Sequence, residues 1–483
     1  MTNAARLQHF VGGQWRGSAG DRFVPDRNPS DADDVIGLVP AGSPEDVEMS
    51  VASAAEAGPA WRNLTGLARA EHLYRWAAAV AGQNESLAQA MAREVGKPIT
   101  EARGEVARGV AILRYYAGEA VREIGQVIPS QFPNTLQFTL RQPLGVVALI
   151  TPWNFPIAIP LWKAAPALAF GNTVVWKPAE SASHMATLLA ETAAAAGLPP
   201  GVFNVLLGSG SVIGDPLLGH AAVAAVSFTG SSAVGARVAA AAAARNIRFQ
   251  TEMGGKNVAI VLPDADLDVA ATLVAGGAMR FAGQKCTATS RAVVVGEVEN
   301  SFLKKLGAQV EALPLGPVTD PAAAVGPMIS GEARQAVIET IKASGATPIF
   351  GGSFPKEPAF SRGHFLTPTV ITGIEPDSVL AQEELFAPVV AVLRARDLDE
   401  AIALANRTRF GLSASLFTRD IKSALVYIRR IEAGLVRVNG DTTGVDPHAP
   451  FGGMKGSSSG SREQGPAARE FYTEIKTVQV SGA

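Results

Sequence analysis

The order of apolar and polar positions divides the chain into a helical first part and a longer second part in which strands and helices alternate. Before residue 126, apolar residues recur every three or four positions, which is the spacing of helices with one buried face. A small hairpin with a Gly12-Gly13 turn is expected ahead of these helices, over Phe10 to Phe23. The predicted helices cover Glu45 to Trp61, Leu67 to Glu94 and Thr100 to Gly125.

From Gly145 onward, short apolar runs alternate with helical stretches, and a second series of the same kind spans Ala292 to Asn439. This alternation predicts an α/β protein with two doubly wound parallel sheets. The predicted strands of the first series are Val146 to Ile150, Asn172 to Trp176, Val202 to Leu206, Ala224 to Phe228 and Val258 to Leu262. Its predicted helices are Ile157 to Phe170, His184 to Ala196, Ser232 to Arg245 and Leu267 to Phe281.

The segment Gln126 to Gln142 has a different pattern, because polar and apolar residues alternate there around two prolines. Such alternation is typical of exposed strands, and we expect a two-stranded excursion that contacts another subunit.

Composition narrows the class of protein. With 483 residues, the chain exceeds one ordinary core, so two or three domains are expected. A net charge of −2 gives no reason to expect a nucleic-acid or anionic-membrane partner. A single cysteine excludes an internal disulfide and a cysteine-cluster metal site, so no metal is predicted. The apolar run Pro160 to Val175 contains Lys163, Pro166 and Gly171, so a soluble, cytoplasmic protein is expected.

That one cysteine, Cys286, lies in Gly283-Gln284-Lys285-Cys286-Thr287, between a helical run and a strand-like run. A partly exposed thiol next to a positive charge is a candidate nucleophile, because the thiolate is the reactive form. The alternative is a thiol packed as a small hydrophobic group.

The sequence suggests two binding positions for parts of a nucleotide, each at the end of a predicted strand, although the G-x-G-x-x-G fingerprint is absent. Thr229-Gly230-Ser231 stands where a strand leads into a helix, so free N–H groups there are expected to bind phosphate. An ordinary capped helix is the alternative. Lys177 and Glu180 follow another strand, where an acidic group accepts ribose hydroxyls; a solvated charge pair is the alternative.

Asn154 and Glu252 are candidates for the remaining chemistry. Asn154 lies between Pro152 and Pro156, which suits a preorganised donor to a developing oxyanion. Glu252 precedes two glycines that permit close backbone approach, and it is either a general base or the partner of Lys256.

Seven motifs, in this order over nearly the whole chain, resemble the NAD(P)-dependent aldehyde dehydrogenase superfamily. They are TPWNFP (151–156), WKPAE (176–180), FTGSSAVG (228–235), EMGGK (252–256), GQKCT (283–287), EELFAPV (383–389) and PFGGMKGSSSG (450–460). The resemblance implies oxidation of an aldehyde to a carboxylic acid, with Cys286 as nucleophile, Glu252 as general base and Asn154 as oxyanion donor. Met253 and Ala387 replace the usual leucine and glycine.

The resemblance also implies NAD as cofactor, with NADP possible, and a homodimer or homotetramer. It implies an accessory proton-relay pair, Lys163 and Glu463. The implied cofactor residues are Trp153, Lys177, Glu180, Gly230, Ser231, Glu384 and Phe386. The implied domains are a NAD-binding domain (1–122 and 144–252), a catalytic domain (253–455) and an oligomerisation element (123–143 and 456–483).

Two stretches, GQKCTATSR (283–291) and GVDPHAPFGGMKGSSSGSREQG (444–465), look most like the 2-oxoglutarate-semialdehyde (2,5-dioxopentanoate) dehydrogenase branch. A short ω-oxo acid is therefore the expected substrate, with another small aldehyde or a CoA-acylating reaction as alternatives. A non-catalytic relative would be expected to have lost the nucleophile, base or oxyanion donor. The expected pocket residues are Phe155, Trp162, Lys285, His448 and Phe451, and Lys285 either meets a distal carboxylate or lowers the pKa of the thiol.

Overall fold

The structure, a computed structural model, describes residues 4–122 and 124–482. Residues 1–3, 123 and 483 of the predicted domains lie outside the described residues. Two large, mostly parallel sheets organise the chain, and a small antiparallel sheet combines an internal segment with the C-terminal strand. The predicted α/β class with two doubly wound sheets is confirmed.

The first sheet is parallel at its centre and has antiparallel strands at both edges. Four of the five parallel strands are short, mostly apolar runs, which explains why the alternation of the sequence found them. Arg248–Glu252 was missed because it is mostly polar, and the predicted strand Val258 to Leu262 belongs to the second sheet instead of the first. Their order within the sheet differs from their order in the chain. In spatial order, the strands are Gln14–Arg16, His9–Val11, Phe203–Val205, Thr173–Lys177, Val146–Ile150, Val223–Thr229, Arg248–Glu252 and Ser458–Gly460.

Both faces of the first sheet are covered, because successive side chains of each strand point to opposite faces. Val147 and Leu149 belong to one hydrophobic cluster, whereas Val146 and Ala148 belong to another on the opposite face. The helices that supply these clusters are Pro44–Asn63, Gly66–Gly82, Asn84–Val95, Ile99–Glu119, Ala158–Ala169, Ser183–Ala195, Gly210–Gly219 and Ser232–Ala244.

The second sheet repeats this design, with Ala259 and Val261 in one cluster and Val258 and Ile260 in another. Its strands, in spatial order, are Pro348–Phe350, Thr369–Ile371, Val389–Ala395, Arg291–Val295, Val258–Val261, Ser413–Phe417 and Leu435–Val438. Its helices are Leu267–Met279, Glu299–Glu311, Gly331–Ala343, Val379–Gln382, Leu398–Asn406 and Ile421–Arg430.

The antiparallel sheet contains Val127–Ile128, Thr135–Pro143 and Thr473–Ser481, and the last two strands pair along their whole length. The helix Ala467–Tyr472 leads into the C-terminal strand. The predicted excursion therefore exists, and the C-terminal strand completes it. Its contact with another subunit, and the domain boundaries, stay predictions.

Several predicted element boundaries are wrong. The stretch Leu67 to Glu94 forms two helices, since the backbone of Gln83 leaves the helical region directly after Gly82. The helix expected over Thr100 to Gly125 ends at Glu119. Phe23 belongs to a second hairpin, Phe23–Arg27 with Val35–Pro40, and a further small pair joins Phe410–Gly411 to Met454–Lys455. In the described part of the chain, no helix is both long and apolar enough to cross a membrane.

Candidate active site

The candidate residues meet where the parallel strands of the first sheet end. Asn154 follows the strand Val146–Ile150, Gly230 follows Val223–Thr229, and Glu252 is the last residue of its own strand. Carboxyl ends of parallel strands share one edge of a sheet, so these side chains converge there. Cys286 reaches the same place from the second unit, on the loop before the strand Arg291–Val295.

The loop that carries the thiol has a demanding backbone conformation. The helix predicted to reach Phe281 ends at Met279, because the backbone of Arg280 is extended. Phe281 and Ala282 then have φ values of 54° and 52°, a region that favours glycine. Gly283 also has positive φ, and a Cβ there would stand 2.1 Å from the carbonyl oxygen of Ala387. Strain of this kind is found where a side chain must be aimed.

Asn257 holds this loop from the second sheet. Its Nδ2 donates to the carbonyl oxygens of Cys286 (2.7 Å) and Ala288 (2.8 Å), while its Oδ1 accepts from the backbone N–H of Ser413 (3.0 Å). Sequence reasoning missed Asn257, because nothing in its local pattern distinguishes an internal clamp from a polar strand end.

Cys286 is partly exposed and lines two cavities, so it is not simply a packed hydrophobic group. Burial, followed by the carboxyl groups of Glu384 and Glu252, raises the pKa of the thiol to about 12. This is the opposite of the lowering that was one expectation for Lys285. The Nζ of Lys285 lies 2.8 Å from a carboxylate oxygen of Glu101, which neutralises its charge. The thiol must therefore lose its proton before it can attack.

Asn154 is fixed by both its backbone and its side chain. Lys97, which pairs with Glu105, donates from Nζ to the carbonyl oxygen of Asn154 (2.7 Å). The Nδ2 of Asn154 donates to the carbonyl oxygen of Gln284 (2.9 Å), one residue before Lys285 in the thiol loop. Because an amide nitrogen carries two hydrogens, the second is left for a ligand oxygen in the cavity that Asn154 and Cys286 share.

Glu252 is buried, and Oε2 accepts a hydrogen bond from the hydroxyl of Ser458 (2.6 Å). Within the described residues, its Oε1 has no partner. Burial, followed by the charge of Glu463, holds the pKa of Glu252 well above its usual range. The alternative pairing with Lys256 is wrong, because the Nζ of Lys256 donates to the carbonyl oxygen of Glu383 (2.7 Å).

Lys163 and Glu463, the implied proton-relay pair, form a buried ion pair near Glu252, and their role as a relay stays a prediction. Lys163 also donates to the hydroxyl of Ser227 (2.8 Å), which in turn donates to Glu463 (3.2 Å). Burial lowers the pKa of Lys163. These groups form a continuous set of proton donors and acceptors next to the candidate base.

The cavity on one side of the thiol, of about 270 Å³, reaches the start of the helix Ser232–Ala244. Ser231 is the N-cap of that helix but makes no side-chain cap bond, so the first N–H groups are not satisfied by a local cap. The hydroxyl of Thr229 is buried without a partner in the described ranges. A phosphate group fits these unsatisfied donors. The cavity is also lined by Trp153, Gly230, Glu384 and Phe386.

Glu384 is half-buried in the wall of this cavity, where its Oε1 accepts from the backbone N–H of Gly255 (3.1 Å) and burial raises its pKa to about 7. A Cβ at Gly254 would stand 2.0 Å from Glu384, which confirms that the glycine pair permits close approach. Lys177 and Glu180 do not line the cavity. Lys177 is buried, and burial lowers its pKa to about 8, whereas Glu180 is half-buried at a short helical turn.

The second cavity, on the other side of the thiol, has a volume of about 170 Å³. Four of the five expected pocket residues line it, and these are Phe155, Trp162, Lys285 and Phe451. His448 does not; it is exposed, and its ring centroid lies 6.5 Å from that of Tyr115. Arg108 lines the cavity from the helix Ile99–Glu119, and sequence reasoning missed it. The available signal was a charged residue at the border of an apolar helix face.

The comparisons with known proteins agree with this geometry. The profile of the aldehyde dehydrogenase family matches residues 15–478. The chain belongs to the aldehyde dehydrogenase family. It is therefore an oxidoreductase that acts on aldehydes, and the resemblance in the motifs is confirmed.

Relatives within the aldehyde dehydrogenase family match over their full length. The alpha-ketoglutaric semialdehyde dehydrogenase of Bacillus subtilis is 46% identical over 99% of both chains. The 2,5-dioxopentanoate dehydrogenase of Saccharolobus solfataricus is 39% identical over 96% of this chain and 97% of its own. The resemblance to the 2-oxoglutarate-semialdehyde (2,5-dioxopentanoate) dehydrogenase branch is therefore confirmed.

Solved structures of aldehyde dehydrogenases have the same fold. The betaine aldehyde dehydrogenase of Staphylococcus aureus, in complex with NAD+, has a TM-score of 0.95 at 33% identity and covers 99% of this chain and 95% of its own. The NAD-dependent aldehyde dehydrogenase of Sinorhizobium meliloti has a TM-score of 0.94 at 37% identity, with the same coverage.

Proposed function

We propose that this protein is an NAD-dependent dehydrogenase that oxidises the aldehyde group of a short ω-oxo acid to a carboxylic acid. The preferred substrate in this proposal is 2,5-dioxopentanoate. The observation that carries the proposal is the position of Cys286 between two cavities. One cavity has the unsatisfied donors that a dinucleotide phosphate needs, and the other is a small aromatic pocket with two cations. The names of the Bacillus subtilis and Saccharolobus solfataricus relatives support the choice of substrate.

Acylation begins at Cys286. The partly exposed thiol loses its proton to solvent, and the resulting thiolate adds to the carbonyl carbon, which forms a carbon–sulfur bond and moves negative charge onto the oxygen. The remaining Nδ2 hydrogen of Asn154 and the backbone N–H of Cys286 stabilise that charge. A preorganised donor is worth about 2.7–4 kcal/mol of transition-state stabilisation. The bond to Gln284 and the bond from Lys97 support this role, because they keep the amide from rotating away.

Hydrolysis of the thioester requires a base. Glu252 takes a proton from the attacking water, and the acid leaves as the sulfur is released. Its raised pKa supports this role, because a base with a pKa nearer to neutrality accepts a proton more readily than an ordinary carboxylate. Glu463 and Lys163 pass the proton onward. The presence of this base argues against a CoA-acylating enzyme, whose deacylation does not need it.

The nicotinamide and pyrophosphate part of NAD fits the larger of the two cavities beside the thiol, and when NAD is bound it supplies the hydride acceptor that conversion of the adduct to the thioester requires. Gly230, Ser231 and Trp153 would hold its pyrophosphate, and Glu384 and Phe386 its nicotinamide ribose and ring. Lys177 and Glu180 would bind the adenosine ribose. NADP as a second cofactor, a homodimer or homotetramer, and a cytoplasmic location complete the proposal.

The test compares glutarate semialdehyde with pentanal, its uncharged analogue, at saturating NAD. We expect kcat/KM to be higher for the acid, and we expect added CoA to leave the rate of NADH formation unchanged. A preference for pentanal or for an aromatic aldehyde would contradict the proposed substrate and leave only the family assignment. Product analysis that finds a CoA thioester would contradict hydrolysis.

A further inference from the structure

The smaller cavity beside Cys286 has two cations in an otherwise largely apolar wall. Lys285 enters it from the thiol loop and Arg108 from the helix Ile99–Glu119. Phe155, Trp162 and Phe451 supply aromatic surface between them. A pocket of this composition suits a short molecule that is apolar along its length and negatively charged at one end.

Lys285 already has a partner. Its Nζ lies 2.8 Å from one carboxylate oxygen of Glu101 and 3.0 Å from the other, and only 11% of its side chain is exposed. A carboxylate ligand at Lys285 would have to compete with Glu101, because Glu101 already balances the charge of Lys285.

Arg108 has no such partner among the residues that the structure describes. Its only hydrogen bond there is a long one, from Nη2 to Oε1 of Gln464 (3.4 Å), and its Nε is buried without an acceptor. Glu105 and Asp446 act on Arg108 electrostatically, but neither forms an ion pair with it in the described part of the chain, since Glu105 is paired with Lys97 and Asp446 is exposed on a loop. A partly buried charge without compensation is costly, and an anionic ligand would remove that cost.

The geometry of the pocket also favours an arginine in this role. The guanidinium carbon lies 5.8 Å from the ring centroid of Trp162, so the charged plane faces an aromatic surface while free N–H groups remain. A guanidinium offers two parallel donors that match the two oxygens of a carboxylate, which an ammonium group does not.

We infer that Arg108 binds the distal carboxylate of the substrate and so determines its specificity. The inference rests on the proposed function, since it assigns the residue that recognises the acid end of the ω-oxo acid. Four carbon–carbon bonds separate the carboxylate carbon from the aldehyde carbon in 2,5-dioxopentanoate, a reach of roughly 5 Å. Such a molecule fits the cavity of about 170 Å³ with its aldehyde at Cys286.

The test uses Arg108→Met, which removes the charge and keeps an unbranched side chain that favours helix. We expect the ratio of kcat/KM for glutarate semialdehyde to that for pentanal to fall by about 10- to 100-fold, mainly through KM for the acid. In Arg108→Lys this ratio should fall by less, because lysine keeps the positive charge but lacks the two parallel donors of a guanidinium. Arg114→Met is the matched control, an exposed arginine of the same helix, and should retain the wild-type ratio.

A binding measurement separates recognition from turnover. Glutarate, which has no aldehyde, should inhibit pentanal oxidation competitively in the wild type, and its inhibition constant should rise by a similar factor in Arg108→Met. Thermal melting verifies the fold of each variant. Should Arg108→Met not fold, the reduced preference of Arg108→Lys decides the question, since a purely structural arginine would not alter the acid-to-pentanal ratio.

Two outcomes overturn the inference, and they are distinguishable. If the wild type prefers the acid and Arg108→Met keeps the wild-type ratio, the proposed substrate stands and Arg108 is not its determinant. Where Arg108→Met does not fold, an unchanged ratio in Arg108→Lys leads to the same conclusion. If Lys285→Ala loses the preference for the acid while the Arg108 variants keep it, Arg108 is likewise not the determinant. If the wild type has no preference for the acid, the proposed substrate fails and the inference fails with it.

Discussion

At the scale of single residues, Glu252 and Glu463 place two carboxyl groups close together in a buried site next to a lysine. The repulsion between them raises the pKa of Glu252 beyond the effect of burial, whereas the ion pair with Lys163 stabilises the charge of Glu463. Glu252 therefore takes up a proton at a higher pH than an ordinary carboxyl group does. A protonated Glu252 cannot accept a proton from water, so deacylation slows as the pH falls through its raised pKa.

Glu252→Gln should separate the two halves of the reaction. We expect rapid mixing with NAD and glutarate semialdehyde to give a burst of about one NADH per active site, followed by turnover slowed 10²- to 10⁴-fold. The steady-state rate of Glu252→Gln should also no longer decrease as the pH falls, because the titrating carboxyl group is absent. Cys286→Ala lacks the only cysteine and should give no burst. Loss of the burst in Glu252→Gln would assign Glu252 to acylation instead.

At the scale of secondary-structure elements, each of three strand ends in the first sheet carries a different group of the candidate site. One strand end carries the asparagine, the next carries the helix start that suits a phosphate, and a third carries the base. The strand Thr173–Lys177 ends farther from the thiol cavities, with Lys177 and Glu180 beyond it. An acidic group in such a position accepts the ribose hydroxyls of NAD and repels the 2′-phosphate of NADP.

Glu180→Gln should therefore weaken the preference for NAD. In the wild type we expect a higher kcat/KM with NAD than with NADP, without exclusion of NADP, because the charge of Lys177 lies close by. The variant should narrow that ratio by about tenfold, through a higher KM for NAD and a lower one for NADP. The exposed Glu191 of the helix Ser183–Ala195 is the site for a matched control, Glu191→Gln. A wild-type preference for NADP would contradict the assignment.

At the scale of the whole molecule, the antiparallel sheet presents an apolar face outward. Phe138 lies opposite both Val127 and Val478, and Leu136 lies opposite Val480, so these residues share one face. Val127 is 76% exposed, Leu136 52% and Val480 54%. The strand Thr473–Ser481 is also the edge of this sheet. An exposed apolar face beside an open edge favours association with another copy.

Replacing Leu136 and Val480 together by Glu should break that association. We expect size-exclusion chromatography with light scattering to give the mass of a dimer or tetramer for the wild type, and a smaller species for this double variant. Gln137→Glu with Gln479→Glu is the matched control, because those residues are paired across the same strands on the opposite face. A monomeric wild type, or a double variant of unchanged mass, would contradict the oligomer.

The sequence by itself determined the class of the fold and predicted the candidate residues of the reaction. Strands such as Val146–Ile150 are recognisable because a strand covered on both faces must be apolar throughout, and that requirement is local. Cys286, Asn154 and Glu252 were predicted as candidates because each occupies a short motif whose residue types suit one chemical task. Helix boundaries were less certain. The break at Gln83 and the end at Met279 depend on backbone angles that apolar spacing does not encode.

The tertiary structure alone decided which of these residues lie together. It paired Lys285 with Glu101, 184 positions away, and so left Arg108 as the cation available to a ligand. It also raised the pKa of Cys286, where the neighbouring lysine had suggested a lowering. The physical reason is common to both results. Burial and electrostatic interactions depend on distance in space, and the residues that set them here come from different strands, helices and loops.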